Sequence, residues 1–103
     1  MTEQNPDDVR RTIDRLRTIA SDWRPMLADD SDQNVTHYLD NGEVEMAYES
    51  MILSAMEENL SCPVMVADEL HAIGIQLGMP NGSVFDSEFW VRASPFLRSL
   101  ARE

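Results

Sequence analysis

Apolar residues recur at intervals of three and four along most of this chain, the period of an amphipathic helix. The first run is Val9, Ile13, Leu16, Ile19/Ala20 and Trp23. It follows Asn5-Pro6-Asp7-Asp8. Asparagine can cap a helix, proline suits its first position, and two acids meet the positive end of its dipole. Arg24 stands before Pro25, whose ring disfavours helical backbone in the preceding residue. The pattern predicts a helix over 7–23. A polar, acid-rich connection from Met26 to Asn34 follows. A short second helix is expected over 32–40, capped by Ser31 or Asp32, with Val35, Tyr38 and Leu39 on its apolar side. Asn41-Gly42 ends it, glycine being free to turn left-handed.

A third helix is predicted over 43–59. Val44, Ala47, Tyr48, Met51, Ile52, Ala55 and Met56 make a wide apolar face, with Glu49, Glu57 and Glu58 off it. Leu60-Ser61-Cys62 is a short turn. Pro63 opens a fourth helix over 63–77, with Ala67, Leu70, Ile73, Gly74 and Leu77 as its stripe. Gly74 costs about 1 kcal/mol relative to alanine in a helix, so its place in the stripe points to a close crossing. Gly78 suits the C′ position, Met79 the accompanying hydrophobic contact, and Pro80 blocks continuation. Pro80-Asn81-Gly82-Ser83 reads as a turn. From residue 88, Phe89, Trp90, Ala93, Phe96, Leu97 and Leu100 would face inward. Pro95 falls within that segment, which either kinks there or divides, with Ser94 capping a separate last helix. No run sustains period-two alternation. The expected fold is all-α, a compact bundle of four to five short helices in one domain, 1–103, with residues 1–5 as a disordered tail.

Charge changes the picture. All eight cationic side chains are arginines near the two ends. From Pro25 to Val91 there is no lysine or arginine against thirteen carboxylates, and the whole chain carries −11. Folding does not need a field of one sign, because self-repulsion makes it a cost. At 43% hydrophobic residues the chain is too apolar for a disordered acidic tail. One cysteine excludes an internal disulfide. The N-terminus lacks the basic and apolar regions of a secretory signal, and no apolar run approaches the ~20 residues of a membrane span. A cytoplasmic protein is expected, one that binds neither nucleic acid nor membrane, since nucleic acid and anionic lipid are polyanions.

Little in the chain points to chemistry. Asp30-x-Asp32-x-Asn34 resembles the opening of a calcium loop, but Val35 stands where glycine is needed and Asn41 where glutamate closes the cage. Cys62 precedes a helix start, where the dipole can lower a thiol pKa, yet a cysteine in a turn is the plainer account. Asp68 and His71 share a helix face but supply only two of the three or four ligands a metal site needs. No phosphate loop, nucleophile elbow or paired-cysteine motif occurs. No catalytic residue, metal or cofactor is expected, and the chain reads as no enzyme. Met51 and Met56 fit the core, while Met46 and Met65 fall off the stripes, where methionine serves adaptable interfaces. A solvated face ordinarily mixes both signs. The one-sided run therefore points to an acidic partner-binding surface of Asp29, Asp30, Asp32, Asp40, Glu43, Glu45 and Glu49, gathered on one rim around the second and third helices. The arginines fall to the first and last helices, which would give a bipolar molecule if the two pack together.

The stretch from Tyr38-Leu39-Asp40-Asn41-Gly42-Glu43 to Val44-Glu45-Met46-Ala47-Tyr48-Glu49-Ser50-Met51 resembles the short-helix, Gly-Glu, Ala-aliphatic-Glu pattern of small MafI-type immunity proteins. Glu57-Glu58, the proline-initiated helix and Leu77-Gly78-Met79 extend the likeness over about residues 35–80; the aromatic tail from Phe85 lies outside it. The resemblance implies a cytoplasmic inhibitor of a cognate bacterial toxin, without catalytic residues. An acidic inhibitor would be steered to a basic toxin, such as a nuclease. The alternative is a small acidic chaperone or adaptor for a secreted or regulatory protein. A small metal protein using Asp68 and His71 is a third.

Overall fold

The computed structural model describes residues 6–23, 29–82 and 87–100, with side chains within 8–23, 33–82 and 87–100. Five helices follow one another: α1 Pro6–Trp23, α2 Asp29–Asp40, α3 Val44–Glu57, α4 Val64–Gln76 and α5 Phe89–Leu100, with a 3-10 turn at Met79–Asn81 after α4. There is no strand among the described residues. The fold is the all-α bundle that the apolar spacing predicts.

α3 lies at the centre. Its most extensive neighbour is α2, and it also packs on α1 and α5, while α4 packs on α5. Val44, Ala47, Tyr48, Met51, Ile52 and Ala55 are buried on it, and Met46, Leu53 and Met56 are half-buried. A helix that is apolar nearly all round is an interior one. α1 contributes Leu16, Ile19, Ala20 and Trp23, α2 Val35 and Leu39, α4 Leu70 and Ile73, and α5 Phe89, Ala93 and Leu97, all in one cluster. The radius of gyration, 12.6 Å, is what a folded globule of this length has, about 13 Å.

The helix ends follow local rules. After α2, the Gly42 amide donates to Leu39 O at 3.1 Å and the Glu43 amide to Tyr38 O at 2.8 Å. Gly42 has φ +73°, so the turn is a Schellman motif on a left-handed glycine. The same motif closes α3, with Asn59 (φ 53°) in the glycine's role and the Leu60 amide donating to Ala55 O at 2.9 Å. After α4, Gly78 (φ +81°) turns the chain and Met79 is buried, as expected of them.

Two expectations change. α2 begins at Asp29, three residues earlier than the spacing suggested, because acids in a first turn meet the positive end of the dipole. Asp30, Asp32 and Asn34 therefore lie on helical backbone, which cannot wrap a calcium ion as a loop does. α5 runs unbroken through Pro95. A proline there cannot donate to the Val91 carbonyl, but Pro95 and Val91 are both exposed, so water can take that carbonyl. Ser94 caps nothing; its hydroxyl meets His71.

Candidate interaction surface

The α2–α3 turn gathers three of the seven expected acids. Asp40 closes α2, Glu43 is the N-cap of α3 and Glu45 sits in its first turn. All three are exposed. Glu43 makes no side-chain cap hydrogen bond. Asn41 Nδ2 donates to His37 O at 2.8 Å, which braces the turn. Asp40 is not a bare charge: its carboxylate pairs with Arg17 of α1 at 2.8 Å. That pair is half-exposed, so it contributes at most about 1 kcal/mol.

The expected rim spans both ends of α2. Asp29, Asp30 and Asp32 lie in the first turn of α2, about 12–17 Å along the axis from Asp40 at 1.5 Å per residue. Their side chains lie outside the described residues. Glu57 and Glu58 are exposed at the end of α3, which the antiparallel hairpin brings back toward that first turn. Glu49 is corrected outright: it is fully buried, on the inner side of α3. The helix has almost no solvated side on which a mid-helix glutamate could lie. No buried polar side-chain atom among the described residues lacks a hydrogen-bond partner, so the carboxylate is satisfied inside. The low amphipathicity of the α3 sequence is the signal that could have placed it there.

Among the described residues, the two arginine-bearing helices do not pack extensively on each other either. α1 packs on α2 and α3, whereas α5 packs on α3 and α4. Arg15 makes a bidentate fork on Glu69 of α4, Nε to Oε2 at 2.6 Å and Nη2 to Oε1 at 2.5 Å. This hydrogen bonding holds the Glu69 carboxyl below its ordinary pKa and the guanidinium above its own. Two arginines of α1 are thus used on acids of α2 and α4.

α4 meets its two neighbours differently. Toward α5, a Cβ on Gly74 would stand closer than 3.0 Å to the Trp90 ring and to Tyr48 Oη. This is the close crossing that the glycine predicts. Tyr48 is buried and donates to Leu70 O at 2.7 Å; burial pushes its phenol well above the ordinary tyrosine range. His71 turns to α5 rather than to Asp68, with Nε2 3.0 Å from Ser94 Oγ and its ring 5.2 Å from Trp90. No group of three possible metal ligands occurs among the described residues. Toward α1 the seam is open. One cavity of about 210 Å³ lies among Ile19, Asp22, Trp23, Cys62, Pro63 and Val66. A shallower one of about 250 Å³ lies among Arg11, Thr12, Glu69, Ala72 and Gln76. The Arg15–Glu69 fork spans the seam beside the second of these. Cys62 is half-buried, and burial raises its thiol pKa, the opposite of an activated thiol. Met65 is 82% exposed, as its place off the stripe suggested, while Met46 is half-buried. Nothing in the sequence pattern marked the cavities, since they depend on how far apart two sequence-distant helices sit.

No helix among the described residues is long and apolar enough to cross a membrane. No family model, no curated protein and no solved structure matches the chain.

Proposed function

We propose that this chain is a small protein-binding inhibitor, an immunity protein that neutralises a cognate bacterial toxin with a basic surface. It acts by occlusion, without catalysis. The observation that carries the reading is the one-sided charge: thirteen carboxylates and no lysine or arginine from Pro25 to Val91. Glu43 and Glu45 give that charge a fixed, exposed position on a braced turn, with no ion pair among the described residues. The likeness of residues 35–80 to MafI-type immunity proteins supports the same reading. Carboxylates so placed raise the association rate with a basic partner and pair with its arginines and lysines at the rim.

The test starts from the neighbouring gene. The reading expects it to encode a large secreted protein whose C-terminal domain is toxic when expressed alone. Co-expression of that domain with this chain should restore growth and give a 1:1 complex that weakens with salt. Glu43→Gln/Glu45→Gln should slow association about tenfold or more, within the range that electrostatic steering spans. Asp40→Asn should do less, because Arg17 already offsets that charge. Unchanged protection and unchanged salt dependence in the double variant would remove the acidic turn from the mechanism. Absence of any complex would overturn the inhibitor reading, and a stable homodimer holding an unfolded segment would favour the chaperone alternative.

A further inference from the structure

The 210 Å³ cavity at the end of α1 has a composition that selects its occupant. Its walls are the apolar faces of Ile19, Trp23, Pro63 and Val66, with Cys62 beside them. Trp23 is 3% exposed and fixed in place by its indole Nε1–H, which donates to Ser61 O at 3.2 Å. Among the described residues the one ionic group on the lining is Asp22, which is exposed. Arg15 lies close enough to feel the Asp22 charge, yet its fork is committed to Glu69. Among the described residues Asp22 has no ion-pair partner.

The helix ends do not reverse this charge. The last turn of α1, ending at Trp23, carries no basic residue, so its carbonyls present a negative dipole end. The start of α4 presents a positive end with no side-chain cap. Each is worth about half an elementary charge, so they offset, and among the described residues the full charge of Asp22 decides the sign. The raised thiol pKa of Cys62 keeps that wall neutral. The volume lies below the ~300 Å³ at which pockets for drug-sized ligands begin. It suits one long side chain.

We propose that this cavity is the socket for a single basic side chain of the partner, its aliphatic stem lying along Ile19, Trp23 and Val66 and its cationic head on Asp22. The inference rests on the basic partner of the preceding section and adds to it a desolvated anchor. Lysine and arginine bury their stems on apolar surface while the head stays wet, which is the geometry here: a dry wall with a carboxylate at its exposed rim. An anchor in a pocket carries more binding energy than rim charge pairs, so this site and the acidic turn divide the work between affinity and association rate.

The experiment needs no toxin. The full chain, labelled with nitrogen-15, is titrated with n-butylguanidinium, n-butylammonium and n-butanol at low ionic strength. The two tryptophan indole signals are followed. The cations are expected to move the Trp23 signal saturably in the millimolar range and leave that of Trp90 in place, because Trp90 sits on α5. Butanol is expected to bind two- to fivefold more weakly, the worth of a half-exposed ion pair, and high salt should erase that difference. Asp22→Asn should lower both cations to the level of butanol, and Val66→Trp should block all three. No saturable Trp23 shift with any probe overturns the socket. Equal binding of butanol, or an Asp22→Asn variant that binds the cations as before, overturns its cationic selectivity. Which cation binds more tightly assigns the anchor as lysine or arginine. A silent cavity leaves the acidic turn as the sole contact, and a failed toxin complex leaves the cation result standing, so the two readings fail separately.

Discussion

α4 is fastened on its two sides by opposite means. Toward α5, glycine at 74 admits the Trp90 ring against the backbone, and Tyr48 Oη and the His71–Ser94 hydrogen bond complete a closely packed seam. Toward α1, two cavities remain and the Arg15–Glu69 fork spans the gap. Close packing is set by shape, cannot be screened by salt, and fails when one methyl group is added. A half-exposed ion pair contributes little and leaves the surfaces beside it accessible. The first seam is therefore the tightly packed side of α4, and the second leaves surface accessible beside the fork.

The largest expected effect attacks the close seam. Gly74→Val should destabilise by about 3 kcal/mol, the upper range for an overpacked core. Gly74→Ala should cost less, because about 1 kcal/mol of helix propensity returns. Urea denaturation measures both, and a neutral Gly74→Val would mean that α5 stands further off than described.

Tyr48 gives the next test. Its pKa is raised by burial, so the folded chain keeps its proton when the unfolded chain has lost it. Its contribution is whole below the ordinary tyrosine pKa of about 10 and is lost as pH rises beyond it. Tyr48→Phe should cost about 1 kcal/mol at neutral pH for the lost hydrogen bond to Leu70 O. It should also flatten the alkaline limb of stability against pH. An unchanged limb would assign the alkaline loss to other groups.

The smallest effect belongs to the open seam. Arg15→Gln or Glu69→Gln should cost about 0.2–1 kcal/mol, less at high salt. Because the Glu69 pKa is lowered, that contribution is present above the ordinary glutamate pKa of about 4.3 and fades as pH falls through the lowered value. A double-mutant cycle measures it. A coupling as large as the Gly74→Val cost would erase the contrast between the two sides.

Much of the fold was legible along the chain because its determinants are local. Pro6, Gly42, Pro63 and Gly78 punctuate the helices through backbone stereochemistry, and the apolar spacing selects each buried face. Gly74 announced a close approach by standing where alanine would make a better helix. The acidic surface was legible as composition and misplaced as geometry. Glu43 and Glu45 are exposed where expected, Asp29, Asp30 and Asp32 fall at the other end of α2, and Glu49 is interior. Glu49 lies inside because α3 has almost no wet side.

The sequence alone settled that the chain folds as helices, about where the first four stop, and that the middle of the chain carries one sign of charge. Those properties follow from neighbours within about four residues and from simple counting. Only the tertiary structure decided which acids remain available, since Arg17 reaches Asp40 and α3 takes Glu49 inside. It alone decided that α4 is tight on one side and open on the other. Those outcomes depend on distances between residues as far apart as Trp23 and Ser61, which no local pattern encodes.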